Sequence, residues 1–228
     1  MKKQIFALLV ASFLLAPAAH AVVILGTGTG SLVGGDLTDP ENNGLADSNV
    51  NYDAVFRSSV EPFFGGGEGA FNVFDNRLGG GNDKWCCSGP GAGSVWVEAD
   101  FGIAQYVLTS FTASSANDVP GRDADQWQIK GSNDGINYTT IFDYNNNGTS
   151  PWASRFQVNQ YTAGIDYGLP TAFSIFRYEA TSVVSGSNHQ IGELEFFGEP
   201  ATVPEPATLA LMGLGLAGIG FRRKRKAA

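Results

Sequence analysis

Few residues in this chain could carry chemistry, and their spacing restricts what that chemistry would be. The two cysteines, Cys86 and Cys87, are adjacent. Neighbouring Cα atoms lie about 3.8 Å apart, which rules out an ordinary loop-closing disulfide. A vicinal disulfide, intermolecular bonds or two free thiols remain. His20 falls in an N-terminal leader, so His189 is the one histidine of the body. That scarcity excludes an H-E-x-x-H metalloprotease and any Cys/His zinc module of usual spacing. Neither a P-loop nor a G-x-S-x-G elbow occurs. Gly213–Gly218 fits G-x-G-x-x-G, but it lies in an apolar run with no strand before it, so a nucleotide reading has no support.

Glu193 and Glu195 are two apart in sequence. On a strand they share one face about 7 Å apart, a spacing that does not forbid a glycosidase carboxylate pair. Trp152 ends the polar run Asn145–Pro151. An indole exposed there offers a flat apolar face for a sugar ring, and a buried one would anchor the loop. Arg122 could donate a fork of bonds to ring hydroxyls, or pair with Asp123 or Asp125. His189, just before the last strand, either faces a ligand or is bonded within its loop. Trp85, Trp96 and Trp127 read as packing residues.

Positioning these groups falls to strands. The 228 residues include 30 glycines, and such punctuation favours short strands joined by turns over long helices. In 95–101, Val95, Val97, Ala99 and Phe101 fall on one face. Residues 106–111 form a second strand, and 126–130 turns Trp127 and Ile129 inward before a Ser-Asn-Asp-Gly turn. Residues 138–144 and 172–180 follow. The run 191–197 closes the series, with Leu194 and Phe196 on one face and Glu193 and Glu195 on the other. The pattern predicts an all-β antiparallel sandwich or jelly roll. Residues 22–203 carry 21 of the 22 acidic residues against 7 of the 14 basic ones, a net −14. A body this acidic repels phosphate backbones, so no nucleic-acid partner is expected.

The two ends carry addresses. Lys2 and Lys3, the apolar run 5–15 and Ala19-His20-Ala21 make residues 1–21 a secretory signal peptide. At the other end Pro204-Glu205-Pro206 breaks the chain. Residues 207–221 then run without a charge to Arg222, Arg223, Lys224, Arg225 and Lys226. As a helix that span is about 22 Å long, short of the roughly 30 Å hydrocarbon core. Thinning of the bilayer or the flanking residues would close the gap, leaving the basic end cytoplasmic. The tail, 201–228, resembles the PEP-CTERM sorting signal of Gram-negative bacteria in Pro204, Glu205, Pro206, the short apolar helix and the arginines Arg222 and Arg223. The resemblance implies recognition by an exosortase, transient anchoring in the inner membrane and export to the cell surface or beyond, in a species that makes extracellular polysaccharide.

The body also resembles a known family. Val73-Phe74-Asp75-Asn76, Asp83-Lys84-Trp85, residues 95–102, residues 122–135, Phe176-Arg177-Tyr178 and residues 190–198 follow the order of landmarks in the discoidin, or coagulation-factor C-type, domain. The likeness covers 45–198 of an expected domain spanning 22–200. It implies an eight-stranded, galactose-binding-like jelly roll whose members mostly bind rather than catalyse. It also implies a structural calcium ion (Ca2+) held by Asp75, Asp83 and Glu193 with backbone carbonyls, and a sugar contact from Asn117 and Arg122. The link from Asp75 to Trp85 is longer than the family's, through Leu78-Gly79-Gly80-Gly81-Asn82. The expectation is an exported surface or matrix protein that binds carbohydrate, such as an exopolysaccharide or biofilm matrix, through Asn117, Arg122, Trp152 and His189. The alternatives are a structural matrix protein without a pocket and, less favoured, a glycoside hydrolase.

Overall fold

The structure, a computed structural model, describes residues 22–39, 53–60, 67–86, 88–91 and 93–201. The expected signal peptide, the apolar run 207–221 and Pro204, Glu205, Pro206, Arg222 and Arg223 lie outside the described residues, as does Cys87.

Among the described residues eleven strands follow one another: β1 (Val23–Thr27), β2 (Val55–Ser58), β3 (Trp85–Cys86), β4 (Val95–Asp100), β5 (Tyr106–Ser114), β6 (Ala124–Ser132), β7 (Thr139–Asn145), β8 (Gln157–Thr162), β9 (Ile175–Val183), β10 (Gln190–Ile191) and β11 (Leu194–Pro200). Short 3-10 turns are the only helical elements among the described residues. One sheet has the order β1-β8-β5-β11, the other β2-β4-β9-β6-β7, and β10 pairs with β3 as a separate ribbon. All strand pairs are antiparallel. The sandwich is thus built from sheets of four and five strands rather than eight in all. β8 and the short strands β1, β2, β3 and β10 carry too little alternation to be read from sequence.

The inward faces are those the alternation predicts. Val95, Val97 and Ala99 of β4, Trp127 and Ile129 of β6, and Phe176 and Tyr178 of β9 meet Leu108 and Phe111 of β5, Tyr161 of β8 and Phe196 of β11. Leu108 and Phe111 have opposite parity on an ideal strand. A bulge opposite Phe197 and Gly198 re-phases β5 so that both face inward. Phe111 stacks on Tyr161 with centroids 4.9 Å apart, and Trp127 lies 5.3 Å from Tyr178. Such pairs add about 0.5–1.5 kcal/mol beyond area burial. At Gly131 a Cβ would overlap the Phe173 ring, so only glycine lets the 163–174 loop close over β6.

The sandwich has two distinct ends. β4, β6 and β8 finish, and β5, β7 and β9 begin, at one of them, which carries loops 101–105, 133–138 and 163–174. Loops 115–123, 146–156 and 184–189 lie at the other, together with the 67–86 segment, which Lys84 ties to the 115–123 loop. The candidate site is at this second end.

Candidate functional site

Lys84 organises the loop end. Its stem is buried, and its side chain is only 3% exposed. The ammonium donates to Asn117 Oδ1 at 2.8 Å, Asp118 Oδ1 at 3.2 Å and Gln190 Oε1 at 3.4 Å, with Glu68 Oε1 at 3.6 Å. Gln190 donates in turn to the carbonyls of Asp118 and Val119. Arg155 donates to the Asp118 carbonyl at 3.1 Å and forms a two-pronged pair with the buried Asp123. The 117–123 segment is therefore tied from beneath by two cations and an amide. Above this base, Asp118 is 45% exposed and Arg122 26%, their charged groups 3.9 Å apart. A carboxylate and a guanidinium, with the Asn117 amide, are held in fixed orientation at the surface.

Of the four residues expected to meet a sugar, the structure brings together Asn117 and Arg122 and removes the other two. Trp152 is 3% exposed; its Nε1 donates to the Ala113 carbonyl at 3.0 Å and its ring lies parallel to Trp127. The loop folds the indole inward because the interior offers both an apolar wall and an acceptor, so Trp152 anchors the loop and is not a platform. His189 is 1% exposed, stacked on Tyr178 with centroids 5.6 Å apart and edge-on to Trp85. Its Nδ1 lies 3.2 Å from the Arg122 carbonyl. A carbonyl only accepts, so the proton sits on Nδ1 and Nε2 is left buried without a partner. Burial pulls the His189 pKa down to about 4. His189 thus supports the backbone of Arg122 from within. Arg155 carried no signal in the sequence; Lys84 and Gln190 stood out only as members of Asp83-Lys84-Trp85 and of the 190–198 motif, and Asp118 only as the loop neighbour of Asn117 and Arg122.

The metal residues expected from the resemblance do not assemble as a triad. Asp83 pairs with Arg77 at 3.3 Å and is partly exposed, which takes it out of the set. Asp75 is buried and accepts from the Arg77 backbone N–H at 3.2 Å. Glu193 is 1% exposed and accepts from the Asn76 N–H at 3.2 Å through Oε1. Among the described residues no three acidic, histidine or cysteine side chains converge to hold a metal. What does converge is an oxygen-rich interior. Glu193 Oε2, Asn76 Oδ1 and Asp39 Oδ1 are buried without hydrogen-bond partners. The three side chains are linked, since Asn76 also donates to Asp39 Oδ2 at 3.0 Å. Burial first, then the charges of Asp75, Glu195 and Asp36, push the Glu193 pKa well up. Asn76 holds a φ of 57° to bring its side chain there.

Glu195 is fully buried, accepting from the N–H groups of Val33 and Gly34 and from the Thr112 hydroxyl at 2.6 Å. Asp36 likewise accepts from the Thr38 hydroxyl and from the N–H groups of Thr38, Asp39 and Phe196. The 32–39 segment is thereby strapped over the face of β11 opposite Leu194 and Phe196. Neither carboxylate of the Glu193–Glu195 pair opens onto a cleft. The disulfide question narrows at Cys86, which is disulfide-bonded.

Comparison with known proteins adds an address and a set of likenesses. Residues 202–225 match the PEP-CTERM protein-sorting motif. The tail is a sorting signal. No curated protein matches the chain. Among solved structures it is similar to the CBM32-5 module of CpGH89 from Clostridium perfringens, in complex with GalNAc-β-1,3-galactose, at 17% identity and a TM-score of 0.48, covering 64% of this chain and 96% of that one. It is similar to chitosan-binding module 1 of a chitosanase/glucanase from Paenibacillus sp. IK-5 at 19% identity and 0.47, covering 64% and 96%. It is also similar to CBM62 of Xyl5A from Clostridium thermocellum at 22% identity and 0.47, covering 64% and 95%.

Proposed function

We propose that this chain is an exported, non-catalytic carbohydrate-binding protein, sorted by an exosortase through its PEP-CTERM tail, whose ligand sits at the loop end against Asn117, Asp118 and Arg122. The observation that carries this reading is the Lys84 network. It fixes an amide, a carboxylate and a guanidinium side by side at the surface without a nucleophile or a paired general acid and base. Such groups match the alternating donors and acceptors of sugar hydroxyls and have no reaction to perform. The solved carbohydrate-binding modules above agree with the reading. A glycan array probed with the full chain tests it. Saturable binding to at least one saccharide is expected, with Arg122→Ala and Asp118→Asn each weakening it about tenfold, since a charge-assisted bond is worth about 1.5–3 kcal/mol. A blank array would favour a matrix protein without a pocket, and variants that bind like the parent would move the site elsewhere.

We also propose that the oxygen-rich interior takes a calcium ion. Glu193, Asn76 and Asp39 would hold it with backbone carbonyls, a mixed shell that suits a cation accepting six to eight hard oxygens. The support is the three buried, unpartnered oxygens of Glu193, Asn76 and Asp39. The bound charge would relieve the mutual repulsion of Glu193 and its acidic neighbours and fasten the 75–76 turn to β11. Millimolar calcium is expected to raise the melting midpoint by roughly 4 °C over the chelated protein. The rise should vanish in Glu193→Gln. Equal midpoints with and without chelator would end this assignment.

A further inference from the structure

The three most exposed large aliphatic side chains among the described residues lie at the end of the sandwich opposite the Lys84 network. Ile103 in the 101–105 loop is fully exposed, Ile136 in the 133–138 loop is 81% exposed, and Ile165 and Leu169 in the 163–174 loop are 55% and 67% exposed. The strand registers bring these three loops together: Asp100 pairs with Ile175, Ser132 with Ile175, and Tyr106 bridges Phe173. Beside Leu169 lies an open concavity of about 380 Å³, walled by Pro170, Phe173, Ile141 and three threonines. The loops hold no lysine or arginine, and the carboxylates of Asp134 and Asp166 are turned onto their own backbones.

The chain also leaves the fold at this end. Pro200 pairs with Tyr106 and the Ala201 N–H donates to the Gln105 carbonyl, two residues from Ile103. Residues 202–206 are all that separates Ala201 from the uncharged run 207–221. Fully extended, that link reaches about 20 Å. With the run in a bilayer, the aliphatic tips are held within reach of the lipid, on the side of the body that must face it.

We infer that this end is a membrane-facing surface, in which Ile103, Ile136 and Leu169 enter the interface of a neutral lipid bilayer while the tail is anchored. Exposed aliphatic tips without cations suit uncharged headgroups, because they contribute apolar burial and no attraction to anionic lipid. The loop end then points away from the membrane, toward soluble or matrix polysaccharide. The inference rests on the reading of 207–221 as a membrane span.

The test uses the full chain mixed with phosphatidylcholine vesicles carrying brominated acyl chains, which quench only nearby indoles. Single substitutions Ile103→Trp and Ile136→Trp place reporters at this end, and Val119→Trp, at a 45% exposed position of the opposite end, is the control. The unsubstituted chain, whose Trp85, Trp127 and Trp152 are buried, gives the baseline. Vesicle-bound Ile103→Trp and Ile136→Trp chains are expected to lose about half of the added emission in brominated relative to plain vesicles, and Val119→Trp none, as burial into the headgroup–acyl boundary requires. Chains that sediment with vesicles but show no difference between the ends overturn the inference and leave the anchor standing. Chains that stay in the supernatant overturn both.

Discussion

A Lys84→Met chain is expected to lose about 3–5 kcal/mol of unfolding free energy and its saccharide binding together. The ammonium lies beneath the loop end, bonded to Asn117 and Asp118 and facing Glu68, whose side chain is 11% exposed. Methionine keeps the length and packing of the stem but removes the cation that faces the Glu68 carboxylate and the donor to the Gln190 and Asn117 oxygens. Removing one partner of a buried pair costs about 3–5 kcal/mol because the other charge stays buried and uncompensated. The companion Lys84→Met/Glu68→Leu chain separates the two effects. Replacing both charges by apolar groups should recover most of the stability, while the Asn117 and Asp118 side chains still lack the ammonium that orients them, and binding stays lost. Urea unfolding and array binding on the same preparations read both quantities. A Lys84→Met chain that unfolds at the parent's midpoint would show that the network contributes nothing.

The second large effect is in the pH dependence of stability, measured in chelator. His189 titrates at about 4 in the folded chain because burial disfavours its charge, against 6.5 when free. Between those values the unfolded chain holds the extra proton, so the His189 contribution is complete above pH 6.5 and falls as pH falls, by about 3 kcal/mol in all. Asp36 works in the opposite sense. Burial raises it from 3.8 to about 6 despite the bonds from Thr38 and Phe196. The folded chain then holds the extra proton, and stability is complete below the unfolded value and lost as pH rises through about 6, again by about 3 kcal/mol. Glu193, raised by burial, acts in the same direction as Asp36. Substituting one group exposes the other. From pH 7 to pH 4, His189→Phe is expected to gain stability relative to the parent by about 3 kcal/mol, and Asp36→Asn to lose by a similar amount. Denaturation midpoints across that range decide it. A His189→Phe profile parallel to the parent's would mean that the imidazole does not stay neutral.

These effects show why only part of the site was legible in the sequence. Asn117 and Arg122 were recognisable because their place in the order of motifs is a local property of the chain. Trp152 misled for a physical reason. A polar run such as Asn145–Pro151 marks a loop, but a loop's composition does not say which way its one indole turns. The turn inward was decided by the Ala113 carbonyl and the parallel face of Trp127, 39 and 25 positions away. The partner of Asp83 was likewise invisible in the sequence, since Arg77 meets its carboxylate across the glycine-rich turn.

Alternation by itself determined the strands that carry the core. Val95, Val97, Trp127, Ile129, Phe176, Tyr178, Leu194 and Phe196 are all buried on the faces it assigns, since a period of two is set by the backbone of each strand alone. The tertiary structure decided what covers the opposite face. Glu193 and Glu195 share the face opposite Leu194 and Phe196, and both are buried, because Val33 and Gly34, 162 and 161 positions upstream of Glu195, and Asn76, 117 positions upstream of Glu193, close over them. A strand's own pattern records which side chains share a face. Whether water or another segment meets that face depends on contacts across the whole chain, and those no local period contains.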